Sequence, residues 1–343
     1  MLKIKKPAFS GILPSKIKWK APSDQERNTL KQYLNFELID NIQKKEDQIS
    51  NHLLGYYRST NKENIFFKIV DVEDNKNQDN AVLISSWLNE SGFKVSCVRK
   101  GYPKEIKKYG LWIYLYEYID HDFFDGSNES IYLIGKGLGK MHKMMIDYPL
   151  VNDIFNAGNR KNKLLLKQFK DIKDFRYIPS FPEDAISLII KTSDEEFSSL
   201  TKNSQMIHGD MNFGNIIFEK GSVQPIFIDF EDSASSWLSP LYDIAFIIQR
   251  FLLNYQIDNS LELAKLFYKG YLSQNGISSF CSNGSLYTML KMISIRSLLI
   301  LSTLPDNEQK LYTSEVRKFI NLYFDIENKE NLISKIEKIS FSI

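Results

Sequence analysis

Cysteine is nearly absent: Cys97 and Cys281 are the only two in 343 residues. A disulfide framework is excluded, and without a CxxC pair or a Cys/His cluster so is a structural zinc site. A reducing, cytoplasmic setting is the expectation. Charge of one sign is also lacking, with 44 basic side chains against 42 acidic and a net charge of +2. The chain as a whole carries no field for nucleic acid, and no nucleic-acid partner is expected. No unbroken apolar run reaches the roughly 18–20 residues of a membrane span, so no membrane association is expected. Residues 1–20 hold six lysines and no acid, but no apolar segment follows. They read as a solvated basic arm, not a signal peptide. Internal repeats and low-complexity tracts are missing too. With 43% hydrophobic residues, the disordered, collagen-like and coiled-coil classes drop out. The length suits about two domains.

What is present changes texture near residue 120. Residues 53–60 and 64–70 are apolar and β-prone, with a polar turn between them, and predict an antiparallel hairpin. Apolar side chains at Ala81, Val82, Ile84, Trp87 and Leu88 have helical spacing over 79–91. Strands are expected at 94–99 and 111–119. Beyond them, 128–146, 183–202, 241–256, 260–274, 285–303 and 310–325 read as helices, and a short β-rich island spans 206–230. This is an α+β arrangement: an N-lobe over 1–119, a small antiparallel sheet with one helix, and a larger, mainly helical C-lobe over 120–343.

The β-rich island is the most informative stretch. An apolar pair leads into His208-Gly209-Asp210, and Asn215 follows on the same loop. A second short strand then delivers Asp229-Phe230-Glu231-Asp232 after a turn holding Gly221. Three oxygen-bearing side chains so arranged suit phosphoryl transfer. One carboxylate can accept the proton of an attacking hydroxyl. An amide and a second carboxylate can hold Mg²⁺, a hard cation that prefers oxygen ligands. The remaining need is a cation for nucleotide phosphates, and Lys68 lies in the middle of a predicted strand. An exposed edge-strand lysine is the bland alternative for that residue.

The stretch HGDMNFGNIIF followed by IDFED resembles the aminoglycoside phosphotransferase and choline kinase superfamily, small-molecule relatives of the protein kinases with a bilobal protein-kinase-like fold. The segment Pro240-Leu241-Tyr242-Asp243-Ile244-Ala245 extends the likeness, which is strong over 206–246 and loose over 64–145. The resemblance implies ATP or GTP and Mg²⁺ as cofactors and a hydroxyl-bearing small molecule as acceptor. It implies Asp210 as the catalytic base or orienting carboxylate, and Asn215 and Asp229 as the metal ligands. It places Lys68 on the nucleotide phosphates and the backbone from Glu117 to Ile119 against the base. His208 and Asp243 would support the catalytic loop. His142 reads independently as a helix-terminal residue.

Two features depart from the family pattern. The helix expected to supply a glutamate to Lys68 has Gln78 and Asp79 but no Glu in register, leaving Asp79 or Glu73 as substitutes. The phosphate-covering loop has only Gly55, preceded by Ser50-Asn51-His52. A catalytically impaired nucleotide-binding protein therefore stays open. So does a protein kinase, although His-Gly-Asp, Asp-Phe-Glu and the lack of an Ala-Pro-Glu segment oppose it. Asp120, Asp122, Asp125, Glu231 and Asp232 would favour a polar or cationic acceptor if the fold gathered them. The slight charge asymmetry, 20 basic and 15 acidic side chains over 1–120 against 24 and 27 beyond, leans the same way. Oligomeric state is not legible.

Overall fold

A computed structural model describes residues 19–34, 42–45, 53–59, 65–175, 181–274, 284–304 and 312–342, with 72–74 as backbone only. The basic arm, the Ser50-Asn51-His52 segment, the side chain of Glu73 and Cys281 lie outside the described residues. The chain divides into two compact units, one of 12–123 and 214–231, the other of 1–11, 124–213 and 232–343. The expected boundary at 119/120 differs in one instructive respect. Residues 214–231 pack with the first unit, because their hairpin pairs with the strand His121–Asp122.

The first unit contains β1 (Trp19–Lys20), α1 (Asp24–Leu30), β2 (Ile42–Lys45), β3 (Gly55–Ser59), β4 (Ile65–Asp71), α2 (Val72–Glu90), β5 (Lys104–Ile106), β6 (Leu111–Glu117) and β7 (His121–Asp122). The hairpin adds β9 (Ile216–Glu219) and β10 (Pro225–Phe227). Six strands form an antiparallel sheet in the order β1-β2-β3-β4-β6-β5, and β10-β9-β7 form a second. The expected single helix is corrected to two, α1 being held by a capping box between Ser23 and Glu26. Residues 94–99 make only isolated bridges, Val95 to Phe227 and Val98 to Tyr116, instead of a strand.

Alternation along β4 sets the chemistry of both faces. Ile65, Phe67 and Ile69 pack with Leu30, Leu34, Ile42, Tyr57, Ile113 and Leu115 in one core. Phe66 and Lys68 point the other way. Because β4 sits between β3 and β6, Lys68 is central and buried, which excludes the exposed-edge reading.

The second unit holds α3 (Asn128–Met145), α4 (Val151–Phe175), α5 (Glu183–Lys191), α6 (Asp194–Ser198), β8 (Gln205–Met206), β11 (Trp237–Leu238), α7 (Leu241–Ile247), α8 (Ile257–Leu272), α9 (Ser285–Ser302), α10 (Thr313–Asn328) and α11 (Glu330–Ser340). The expected helix over 183–202 is broken because Ser193 caps a new helix, its hydroxyl and Glu196 exchanging capping bonds. Helices α4 and α11 went unread. Alone among the described residues, α9 is long and apolar enough to cross a membrane, at 18 residues and a mean hydropathy of 1.3, and it corrects the expectation that no such segment exists. It carries Lys291 and Arg296 and packs against α7, α10 and α11, with 61% of it buried. That is how a core helix behaves.

Helices α3 and α8 cross at backbone contact. A Cβ on Gly270 would lie 2.1 Å from the Tyr132 carbonyl oxygen, and one on Gly139 2.4 Å from that of Tyr271. Because the obstacle is backbone, relief requires the helices to separate. Gly270→Ala is expected to cost about 1–3 kcal/mol by overpacking, read as a lower urea midpoint. An unchanged midpoint would contradict this packing.

Candidate functional site

In the first unit, a cavity of about 360 Å³ lies over the sheet face that carries Lys68. Its lining includes Tyr56, Phe66, Lys68, Gln78, Tyr116, Glu117, Ile119 and Asp229. Phe66 stacks on Tyr56 at 6.0 Å and tilts toward Tyr116 at 6.1 Å, so the cavity has a continuous aromatic wall. Ligand cavities of roughly 300–1,000 Å³ with apolar walls and a few converging polar groups are the usual form of small-molecule sites.

Lys68 is the charged centre. Its Nζ donates to Asp229 Oδ1 at 2.8 Å and to Glu231 Oε1, and lies 3.5 Å from Gln78 Oε1. Burial alone would pull its pKa down, but the charges of Asp229 and Glu231 outweigh it and hold the ammonium well above its ordinary value. Two carboxylates face one lysine. The missing helical glutamate thus has a replacement in another place: Glu231 supplies the carboxylate, and Gln78 approaches from α2. Asp79, the substitute expected on α2, is otherwise engaged, accepting from the Tyr114 hydroxyl at 2.6 Å. Gln78 also donates to the Tyr116 hydroxyl at 2.8 Å. Burial, with the nearby carboxylates, pushes that phenol well above its usual range and keeps it neutral.

The hairpin β9–β10 places the other expected ligands. Ile216 pairs with Phe227, and the Ile228 amide donates to the Asn215 carbonyl at 3.0 Å. Asn215 and Asp229 therefore share one end of the hairpin. Asp229 has φ +69°, a left-handed conformation rare for a residue with a Cβ. Such strain persists where the surroundings fix a residue for a purpose. Among the described residues no three His, Cys, Asp or Glu are grouped to hold a metal. The amide and carboxylate oxygens of Asn215 and Asp229 still suit Mg²⁺, which takes one or two protein carboxylates and fills its shell with water and phosphate oxygens. At the cavity rim, Glu117 has an exposed side chain and the Ile119 carbonyl lies 2.6 Å from His121 Nδ1.

In the second unit, the loop bearing Asp210 hangs from one buried carboxylate. Asp243 accepts from the backbone N–H of His208 at 2.8 Å and of Gly209 at 2.9 Å. It also lies 3.0 Å from His142 Nε2, whose other ring nitrogen is 3.0 Å from the Tyr271 hydroxyl. His142 stands in the last turn of α3 as expected, and it is also fully buried in this network. Its signal was its placement on the apolar stripe of α3. Gly209 has φ +86°, and a Cβ there would lie 2.2 Å from Ser236 Oγ. Ser233 Oγ donates to the His208 carbonyl at 3.0 Å. The loop is thereby fixed while the Asp210 side chain stays partly exposed, with one oxygen accepting from Asn212. Sequence reading missed His142 and the partner roles of Glu231 and Gln78.

Residues 54–277 match the phosphotransferase enzyme family. That is well over half of the chain, and the protein belongs to this family. Solved structures with the same fold include aminoglycoside 2′-phosphotransferase-IIIa in its GDP complex, with TM-score 0.60 and 13% identity over 89% of this chain and 98% of that one. The AMP-bound spectinomycin phosphotransferase gives TM-score 0.50 and 13% identity over 84% and 90%. An ethanolamine kinase from Plasmodium vivax gives TM-score 0.53 and 17% identity over 88% and 85%. At such identities the likeness is one of fold, and it agrees with the expected protein-kinase-like α+β class. No curated protein sequence gives a significant match.

Asp243→Asn would set an amide donor against the buried N–H groups of His208 and Gly209. Losing a charged, buried acceptor should cost about 1.5–3 kcal/mol. Amide hydrogen exchange at His208 and Gly209 should accelerate by the corresponding factor, whereas unchanged protection would remove Asp243 as the anchor.

Proposed function

We propose that this protein transfers the γ-phosphoryl group of ATP or GTP to a hydroxyl of a small polar molecule. The observation that carries the reading is Lys68, buried in an aromatic-walled cavity and held by Asp229 and Glu231. A cation so placed is positioned for nucleotide phosphates. The cavity rim from Glu117 to Ile119 offers backbone groups for the base. Similar folds have been solved with GDP and AMP, which supports a nucleotide in this one.

Asn215 and Asp229 would hold Mg²⁺, which when bound neutralises charge on the phosphates. Asp210 orients the acceptor hydroxyl and accepts its proton as the oxygen forms a bond to the γ-phosphorus. The bond from that phosphorus to the bridging oxygen of the β-phosphate breaks, and the nucleoside diphosphate leaves with the electron pair. Asp210 then returns the proton to solvent. Nearly all the catalysis in such a transfer is positioning and electrostatics. His208 and Asp243 serve by fixing the loop.

The alternative of an impaired binding protein rested on the glycine-poor phosphate loop, whose Ser50-Asn51-His52 segment lies outside the described residues, and on the missing helical glutamate. The pairing of Lys68 with both Asp229 and Glu231 weakens the second ground. The suggested cationic acceptor loses support as well. Asp120 pairs with Lys220 at 2.9 Å, Glu231 with Lys68, and Asp232 with Lys161 at 3.5 Å, while Asp125 accepts from the Ser127 amide at 2.9 Å.

Calorimetry with ATP and GTP in the presence of Mg²⁺ should detect nucleotide binding, and no binding of either would refute the proposal. Lys68→Met should weaken that binding by about tenfold or more, as loss of a charged phosphate contact does. Asp210→Ala should abolish acceptor-dependent turnover while nucleotide affinity stays near wild type. Chelation of Mg²⁺ by EDTA should stop turnover, and added Mg²⁺ should restore it.

A further inference from the structure

Within the helical unit, three cations surround Tyr242 and the loop of Asp210. Arg296, on α9, is only 4% exposed. One of its nitrogens lies 3.4 Å from the Tyr242 hydroxyl, and its guanidinium sits 5.4 Å from the centre of that ring. Its Nε and Nη2 atoms are buried without a hydrogen-bond partner. Arg250 stands on a π-helical turn, Ile248–Leu252, an irregularity that helices often carry at functional sites. Its Nε is likewise buried without a partner, and its charge interacts with that of Asp210. Lys161, on α4, lies 3.5 Å from Asp232 and 3.3 Å from Ser235 Oγ. The helix is locked there by Asn162, which donates to the Trp237 carbonyl at 2.9 Å.

Against these three positive charges stand Asp210 and Asp232. Glu315 also influences Arg250 but pairs with Lys318 at 2.9 Å. Burial lowers the pKa of Lys161, and the charge of Arg296 lowers it further against the opposing pull of Asp232. The cluster is thus short of negative charge. Buried guanidinium N–H groups without acceptors are expensive unless something completes them. Arginine forks match carboxylate and phosphate oxygens, and lysine adds a point charge. The side chains of Lys161 and Asp232 are 27% and 46% exposed, so the cluster opens to solvent on that side.

We propose that the acceptor carries, beside its hydroxyl, an anionic group, carboxylate or phosphate, which Lys161, Arg250 and Arg296 hold while Asp210 faces the hydroxyl. This rests on the phosphotransferase reading and narrows its substrate class to hydroxy acids or phosphorylated alcohols and sugars. The aminoglycoside phosphotransferases and the ethanolamine kinase that share the fold do not set the acceptor here, because the likeness is one of fold.

The test is acceptor-stimulated release of nucleoside diphosphate from the full chain, with Mg²⁺ and nucleotide saturating. The acceptor panel has three arms. Glycerate, glycerol 3-phosphate and glucose 6-phosphate are anionic, glycerol and glucose neutral, and choline, ethanolamine and kanamycin cationic. Calorimetry of each acceptor on the protein saturated with nucleoside diphosphate is the second readout. The anionic arm should stimulate and bind, and the contrast of glycerate with glycerol 3-phosphate separates carboxylate from phosphate. Lys161→Gln and Arg250→Gln should each raise the KM and Kd for the anionic acceptor by about tenfold, the effect of one charged hydrogen bond, with nucleotide affinity unchanged. Both positions are partly exposed, so these variants remain informative if Arg296→Met fails to fold. Stimulation confined to the neutral or cationic arm overturns the inference and leaves the phosphotransferase reading intact. So does anion binding indifferent to both substitutions, or no anion binding at all. Failure of the wild type to bind nucleotide overturns both.

Discussion

An ammonium group in the middle of a β-sheet has to be paired or it cannot stay charged out of water. Lys68 meets that requirement through Asp229 and Glu231, and much of the first unit is arranged around the solution. The β9–β10 hairpin delivers both acids, and β7 ties that hairpin to the unit by pairing with β9. This is why residues 214–231 join a unit that otherwise ends at Phe123. The left-handed conformation of Asp229 belongs to the same constraint, since it turns the chain as the strand hands over its carboxylates. The pair is also a reservoir of negative charge: one lysine faces two acids, which suits a divalent cation better than a second lysine would.

The helical unit solves a different problem with a similar device. A loop must be rigid in its backbone yet present one accessible carboxylate. Asp243 fixes the backbone from below through two amide groups, and His142 and Tyr271 hold Asp243 in turn. The bonds to Asp243 hold the loop through its backbone, and the Asp210 side chain stays partly exposed. The excess of positive charge around Tyr242 has no such closed account within the unit. That contrast, one network satisfied and one wanting acceptors, separates a structural cluster from a binding one.

Much of this was legible in the sequence, and the divisions are instructive. The motif from His208 to Asp229 was readable because its chemistry depends on residue type at fixed spacing within two short strands. Strands β3 and β4 announced themselves by apolar, β-prone composition about a polar turn, β6 as a further strand candidate, and α3 by its apolar stripe. The partner of Lys68 was sought on α2 because the family pattern puts a glutamate there; Glu231 lies 163 residues away, a distance no periodicity spans. The helix-terminal place of His142 was legible, but its partners Asp243 and Tyr271, remote in the chain, were not. The break between α5 and α6 shows capping chemistry overriding apolar periodicity. Residues 94–99 had strand composition but found only single bridging partners, which composition does not foresee.

The grip of Asp243 on backbone amides has a consequence for how the protein can vary. An amide N–H is common to every residue but proline, so the bond at position 208 does not read which side chain stands there. Position 208 is limited by its fully buried site and by its ring Nδ1, which accepts from the Asp210 amide at 3.4 Å, and position 209 by the handedness of its turn and the nearness of Ser236. Position 243 has no such latitude, because only a carboxylate accepts from two neighbouring donors and a histidine at once. Tolerance to substitution is therefore unequal across one network. The Asp243 bonds themselves leave the side chains of 208 and 209 unread; those positions are limited by their own surroundings, the anchor more than thirty residues downstream by its carboxylate.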